Sequence, residues 1–399
     1  MAETCWLTII GLSEDGPDGL PVASREALAA AAVIMGPARH LGLVSDNGAR
    51  RVEWPVPFAD GLPVLLGLRG QRVVVLASGD PFWFGAGTVI AQVLQPGEWR
   101  AFPGASVFSL AAARLGWPLE ATLCFGLHAS PLQRLRPALA SGRRSIVLVR
   151  DGDAVGELAG WLTGLGFGAS RMHVCEALGG PRERCRDVVA DAYDLADVAH
   201  PVAVALEVAG DGVVLSAASG QADDLFDHDG QITKRPVRAL TLSALAPRPG
   251  ERLWDIGAGS GSIALEWLLS DPSTQAVAIE AREDRTTRIR ANALALGQDR
   301  LEVVTGKALA VLDGLPKPDA VFVGGGLDVA LLDWLEANLA KGTRLVANAV
   351  TLDTEAVLVA AQARLGGHLM KVALSEAAPL GRFRGWKASY PIVQWSVTL

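Results

Sequence analysis

The sequence lacks the residue groupings that build metal centres or disulfide frameworks. Its 399 residues include four cysteines, Cys5, Cys124, Cys175 and Cys185, with no C-x-x-C pair, and six histidines that never fall at metal-ligand spacing. Neither a structural disulfide nor a zinc site is expected, and no metal is assigned. Half the residues are hydrophobic, yet no apolar run reaches the roughly 18 residues needed to cross a bilayer. The opening Met-Ala-Glu-Thr-Cys-Trp-Leu has no basic segment ahead of an apolar stretch, so it does not read as a secretory signal. A cytoplasmic protein with no membrane partner is the expectation. Positive charge is also short: the net charge of −7 argues against a broad phosphate-gripping face, and hence against nucleic acid as a partner. Lysine is missing from the first 233 residues, all six lying at or after Lys234, a shift in composition that hints at two modules.

What is present is most informative at Arg252-Leu-Trp-Asp-Ile-Gly-Ala-Gly-Ser-Gly-Ser262. A short apolar strand ends at Ile256, and Gly257, Ala258, Gly259, Ser260 and Gly261 form a turn where missing side chains let backbone N–H groups approach a ligand at a helix N-terminus. A second strand, Gln275 to Glu280, ends in a carboxylate placed to accept the two hydroxyls of a ribose. A dinucleotide site is the alternative. Its Gly-x-Gly-x-x-Gly fingerprint is not met, because the third glycine comes one residue early. Asp255, at the end of the strand, suits a methyltransferase, where it would support the loop facing the methionine amino group. The pattern therefore predicts S-adenosylmethionine as cofactor.

The length favours two or three domains. Strand, turn and helix signals alternate from Cys5 to Glu207 and imply parallel sheets. Strands are read at 5–10, 72–77, 99–108, 145–149 and 200–207, with helices from Ser106 to Leu115 and Glu157 to Leu165. A Gly-, Ser- and Asp-rich stretch then reads as a linker. The expected division is 1–210, a linker at 211–228, and 229–399. In the second module strands are expected at 252–256, 275–280, 301–305, 319–323, 343–349, 368–376 and 390–398, with helices between the first six. Only residues 379–387 separate the last two strands, too few for a helical crossover, so the final strand should run antiparallel.

With both modules in view, the chain resembles the decarboxylating precorrin methyltransferases of cobalamin biosynthesis over nearly its whole length. The N-terminal half is similar to the tetrapyrrole methyltransferase family through the opening strand and glycine turn, Ser78-Gly-Asp-Pro-Phe-Trp-Phe-Gly85 and Pro103-Gly-Ala-Ser-Val107. The C-terminal half is similar to the decarboxylating domain through Ile232-Thr-Lys-Arg-Pro-Val-Arg238, the Gly257 loop, Glu280, Val323-Gly-Gly-Gly326 and Ala347-Asn-Ala-Val-Thr-Leu-Asp-Thr354. The resemblance implies an α/β chain: a tetrapyrrole-methylase fold of two α/β subdomains, followed by a Rossmann-like seven-stranded methyltransferase sheet. It implies transfer of two methyl groups to bridge carbons 5 and 15 of precorrin-6B, with decarboxylation of the ring C acetate, giving precorrin-8. One S-adenosylmethionine per module, two per chain, would be held by Gly79, Asp80, Ser106, Val107 and Ala205 in the first module. In the second, Thr233, the Gly257 to Gly261 loop, Glu280 and Ala308 would hold it. The opening turn departs from the family's Gly-x-Gly-Pro-Gly, since Gly11 is followed by Leu-Ser-Glu-Asp before Gly16, which leaves substrate contacts there open.

A tetrapyrrole carries many carboxylates, so arginines able to hold them are sought. Arg238, Arg382, Arg384 and Lys387 are the candidates, against a structural ion pair for Arg238 and a solvated hairpin for the other three. No catalytic residue is assigned. Cys124 and His128, four apart, read as a core thiol and a loop histidine rather than a nucleophile and base. Asp80 is weighed against a turn cap, and Trp83, Trp117 and Trp254 are left as core or pocket wall. A homo-oligomer is expected. RNA as substrate, and a first module kept as a non-catalytic scaffold, are the alternatives.

Overall fold

The computed structural model describes residues 5–399; Met1 to Thr4, on which part of the leader reading rests, lie outside the described residues. The chain forms two compact units. One comprises the chain up to Ser130 with Leu139–Val213, the other Pro131–Ala138 with Val214–Leu399.

In the first unit, β1 (Leu7–Leu12), β2 (Val33–Gly36), β3 (Arg50–Glu53), β4 (Val73–Ser78) and β5 (Trp99–Phe102) form a five-stranded sheet in the order β3-β2-β4-β1-β5, parallel throughout. The continuous apolar run of β1 follows from burial on both faces. Leu7 and Ile9 enter one core cluster while Ile10 and Leu12 enter the opposite one.

A second sheet holds β6 (Leu123–Gly126), β7 (Arg144–Leu148), β8 (Arg171–Glu176), β9 (Arg184–Val189) and β10 (Val202–Glu207) in the order β6-β7-β10-β8-β9. The expectation of parallel strands fails here. Only β6 and β7 are parallel; β10 is antiparallel to both neighbours, and β8 to β9. The turn between Glu176 and Arg184 is too short for the crossover that parallel pairing requires.

The second unit holds β11 (Arg252–Ile256), β12 (Gln275–Glu280), β13 (Glu302–Thr305), β14 (Ala320–Val323), β15 (Arg344–Ala349), β16 (His368–Val372), β17 (Ser375–Leu380), β18 (Phe383–Ala388) and β19 (Ile392–Thr398). Seven of them make one sheet in the order β13-β12-β11-β14-β15-β19-β16. The last strand is antiparallel to β15 and β16, as expected, although the connection is longer than expected and holds a hairpin rather than a helical crossover. The strand expected over 368–376 stops at Val372. The chain then forms the separate hairpin β17–β18, which turns through Gly381 in the left-handed region (φ +59).

The stretch read as a polar linker is also corrected. Leu215 and Phe226 are buried in the core of the second unit, and Glu266 on the helix Ser262–Ser270 accepts hydrogen bonds from the Gly220 and Gln221 N–H groups at 2.6 and 2.9 Å. Leu215 and Phe226, with Leu225 packed beside them, seat the stretch against the core.

Candidate functional site

The glycine loop of the second unit leaves β11, the strand flanked by β12 on one side and β14 on the other. This is the switch point of the sheet, where a crevice opens beyond the strand ends. Gly257, Gly259 and Gly261 all have left-handed φ values, +72, +59 and +78, a conformation that favours residues without a Cβ. Their surroundings differ. A Cβ on Gly257 would come within 2.9 Å of the Gly325 carbonyl oxygen and one on Gly261 within 2.9 Å of Ile289 Cγ2, whereas one on Gly259 would meet only the Gln231 carbonyl oxygen, at 3.9 Å. Gly259 therefore faces open space, and the flanking glycines permit packing.

Two buried carboxylates set the loop. Glu280 Oε2 accepts from the Gly259 N–H at 3.0 Å and Oε1 from the Arg282 N–H at 3.1 Å. Asp255 Oδ2 accepts from the Ala264 N–H at 3.0 Å in the first turn of the helix, while Oδ1 is buried without a hydrogen-bond partner. Burial, helped by the neighbouring Glu280 charge, pushes the Asp255 carboxyl up to about 7. The open backbone position at Gly259 and the strand-end carboxylate of Glu280 together fit a ligand carrying a ribose.

Asn292 was not legible in the sequence. From the helix Glu283–Ala295 its side chain donates to the Asp227 and Ser260 carbonyls, both at 2.9 Å, and accepts from the Asp227 N–H at 2.9 Å. It ties the entry segment to the glycine loop. Thr233 lies on that segment, and its carbonyl accepts from Arg238 Nη1 at 2.5 Å. Ala308, half-buried, opens the short helix Ala308–Val311.

Arg238 is not available to a substrate. It is fully buried, with Nε on Glu266 Oε1 at 2.5 Å, Nη1 on Asp223 at 2.9 Å, Nη2 on the Gln221 carbonyl at 2.5 Å, and its guanidinium over the Phe226 ring. The ion-pair reading replaces the substrate-ligand reading. Arg382, Arg384 and Lys387 gather on the exposed β17–β18 hairpin, where Arg382 lies over Phe383.

In the first unit three glycines bring the strand-end loops together. A Cβ on Gly11 would overlap the Gly79 carbonyl oxygen and the Gly104 nitrogen, and the Gly104 N–H donates to the Gly79 carbonyl at 3.0 Å. Gly79, at φ +52, leaves no room for a side chain against the Ala105 carbonyl and Ser106 Cα. Gly79, Asp80, Ser106 and Val107 therefore share one end of the sheet. Asp80 forms a turn, accepting from the Phe82 N–H at 2.9 Å, and Ser106 Oγ caps its helix by accepting from the Ser109 N–H at 3.0 Å. Ala205 does not join them. Its methyl is fully buried in the middle of β10, between β7 and β8, with Ile146 and His173 opposite it in register.

The remaining sequence candidates resolve by burial. Trp254 is core and Trp117 is buried against His173, while Trp83 is partly exposed over Phe108. Burial holds the Cys124 thiol up at about 11, unsuited to a nucleophile. Among the described residues, no three metal-ligating side chains cluster and no helix is long and apolar enough to cross a membrane.

Residues 7–193 match the family described as tetrapyrrole (corrin/porphyrin) methylases, and residues 224–399 the family described as precorrin methyltransferase domain. The chain is thus a two-module α/β methyltransferase. A Sinorhizobium protein named precorrin-6Y C(5,15)-methyltransferase (decarboxylating) is 48% identical over 399 residues, covering 98% of this chain and 96% of its relative. A Mycobacterium tuberculosis protein of the same name is 41% identical over 400 residues, covering 98% and 99%. The crystal structure of the C-terminal domain of precorrin-6Y C5,15-methyltransferase from Rhodobacter capsulatus is 52% identical, covering 46% of this chain and 100% of that one, with a TM-score of 0.45. The chain belongs to the precorrin-6Y C(5,15)-methyltransferase (decarboxylating) family.

Proposed function

We propose that this enzyme transfers two methyl groups from S-adenosylmethionine to bridge carbons 5 and 15 of precorrin-6B and decarboxylates the ring C acetate, giving precorrin-8. The observation that carries this reading is the near-full-length match to relatives of that name, in a chain that has a glycine-lined strand-end loop in each unit. We assign carbon 15 and the decarboxylation to the second unit, carbon 5 to the first, and one cofactor to each. The two activities divide near Val213, where the compact units part.

The sulfonium supplies an electrophilic methyl group. The protein has to place a nucleophilic carbon in line with it, about 3 Å away, and exclude water. In the second unit the Gly259 loop offers backbone donors at an open position, Glu280 accepts the ribose hydroxyls with its remaining lone pairs, and Asp255 supports the loop from behind by holding the Ala264 N–H. Bridge carbons of a reduced macrocycle are enamine-like, and an adjacent protonated imine accepts the electron pair when carbon dioxide leaves. The macrocycle is its own electron sink, so a triad is not needed.

Arg382, Arg384 and Lys387 are proposed to meet peripheral carboxylates from the hairpin. Leu380, Phe383 and Trp386 are exposed on the same hairpin at 68, 66 and 79%, an apolar surface that supports self-association. A cytoplasmic enzyme that binds no nucleic acid completes the reading. Incubation of the full chain with precorrin-6B and labelled cofactor tests it: the product should gain two methyl groups and lose one carbon dioxide by mass. Calorimetry should count two cofactors per chain, whereas a count of one would favour a scaffold role for the first unit.

A further inference from the structure

The first unit holds an arrangement at its strand ends that lies outside the proposed cofactor contacts. Strands β2, β4 and β1 are neighbours in the parallel sheet; Ser78 is the last residue of β4, and Arg39 and Glu14 lie just beyond the C-terminal ends of β2 and β1. Such ends are where a doubly wound sheet receives ligands. Glu14 belongs to the opening turn that departs from the family pattern, and only 6% of it is exposed. One of its oxygens pairs with Arg39, and the other accepts from Arg182 Nη2 at 3.2 Å. Arg39 also donates from Nη2 to Ser78 Oγ at 3.0 Å, and Ser78 Oγ lies 3.3 Å from His40 Nε2.

Arg182 arrives from the second sheet, on the turn between β8 and β9. That turn is built to touch the Glu14 loop: a Cβ on Gly180 would overlap Glu14 Cβ. Two guanidiniums thus converge on one carboxylate, with the neighbouring histidine held neutral. Burial and the Arg39 charge push His40 down to about 4. The cluster keeps an excess positive charge in a chain whose net charge is −7. A structural ion pair needs only one arginine. Arg182, its side chain 64% exposed, adds little to stability there, yet it presents further N–H donors outward in the planar fork that suits a second carboxylate.

We propose that Arg39 and Arg182 anchor a peripheral carboxylate of the tetrapyrrole in the first unit, with Glu14 as the positioning residue that holds both guanidiniums in register. This rests on the proposed function for its substrate class. The anchor acts on one of the two methyl transfers and leaves the other alone.

The full-length chain tests it in two arms. In the first, quenching of protein fluorescence follows binding of uroporphyrin, a tetrapyrrole octacarboxylate, and of its octamethyl ester. Arg182→Met should weaken binding of the acid by about tenfold or more, as expected for lost charged hydrogen bonds, with ester binding and melting temperature unchanged. Arg182→Lys should recover part of the loss. In the second arm, turnover of precorrin-6B by Arg182→Met should show a raised KM for one methyl transfer, with kcat and the other transfer intact. If the wild-type chain fails to methylate precorrin-6B while acid binding still depends on Arg182, the functional reading falls and the anchor stands. Acid binding indifferent to Arg182→Met and to Arg39→Met, or a loss confined to melting temperature, overturns the anchor.

Discussion

Glu280 Oε2 accepts the Gly259 N–H at 3.0 Å, joining the end of β12 to the midpoint of the glycine loop that leaves β11. The strand-end carboxylate therefore shapes the loop as well as standing where the cofactor ribose is proposed to bind. Glu280→Ala should remove both its backbone bonds and the proposed ribose contacts. Charged hydrogen bonds contribute about 1.5 to 3 kcal/mol each, so cofactor affinity at the second unit should fall at least tenfold while the other site is unaffected. Calorimetry on the full chain reads both, and an unchanged second-site Kd would remove Glu280 from the site.

The glycines of that loop should separate into two kinds. Gly259→Val projects into open space, so it should abolish cofactor binding in the second unit at a modest cost in stability from its left-handed φ. Gly261→Val drives a branched side chain into Ile289 and should lower the melting temperature markedly. Thermal melts with calorimetry distinguish the two, and equal unfolding by both variants would contradict the assignment of Gly259 to the ligand space.

Asp255 should give the second unit an inverted carboxylate pH dependence. Its folded pKa, raised to about 7, means that the folded state holds the proton more tightly than the unfolded chain. Stability from this group is present below about pH 4, falls as pH rises toward 7 and is flat above, over a range on the order of 4 kcal/mol at most. Asp255→Asn should flatten that slope in denaturant titrations between pH 4 and 8; a wild-type slope retained in the variant would place its origin elsewhere.

Removing Arg238 should destabilise the second unit severely, because Glu266 would remain buried without its cation. Breaking a buried pair costs about 3 to 5 kcal/mol, so Arg238→Met should shift the urea midpoint strongly downward, and Arg238→Met with Glu266→Gln should recover part of it. A variant as stable as wild type would return Arg238 to the list of substrate ligands.

The glycine loop, the carboxylate after it and the seven-strand pattern were legible because each is local. Consecutive apolar residues mark a strand buried on both faces, and closely spaced glycines mark a left-handed turn whatever surrounds them. The antiparallel last strand was anticipated, but the connection before it is longer than the one assumed, and it is the absence of a helix there that makes the chain turn back. The same reasoning failed on the second sheet and on the stretch leading into the second unit, where a short turn and the scattered Leu215, Leu225 and Phe226 outweighed the local signal. Arg238 looked like Arg382 in the sequence; only packing put one under Glu266 and the other on an exposed hairpin.

What the sequence determined by itself was the position of the glycine loops at strand ends and of the carboxylate after the second of them, through residue types at fixed short spacings. The tertiary structure decided which distant side chains act together. Asn292 reaches Asp227 across 65 positions, and Arg182 reaches Glu14 across 168. Strand order and the packing of one sheet's turn against another's loop set those meetings, and neither has a period that a single chain of letters displays.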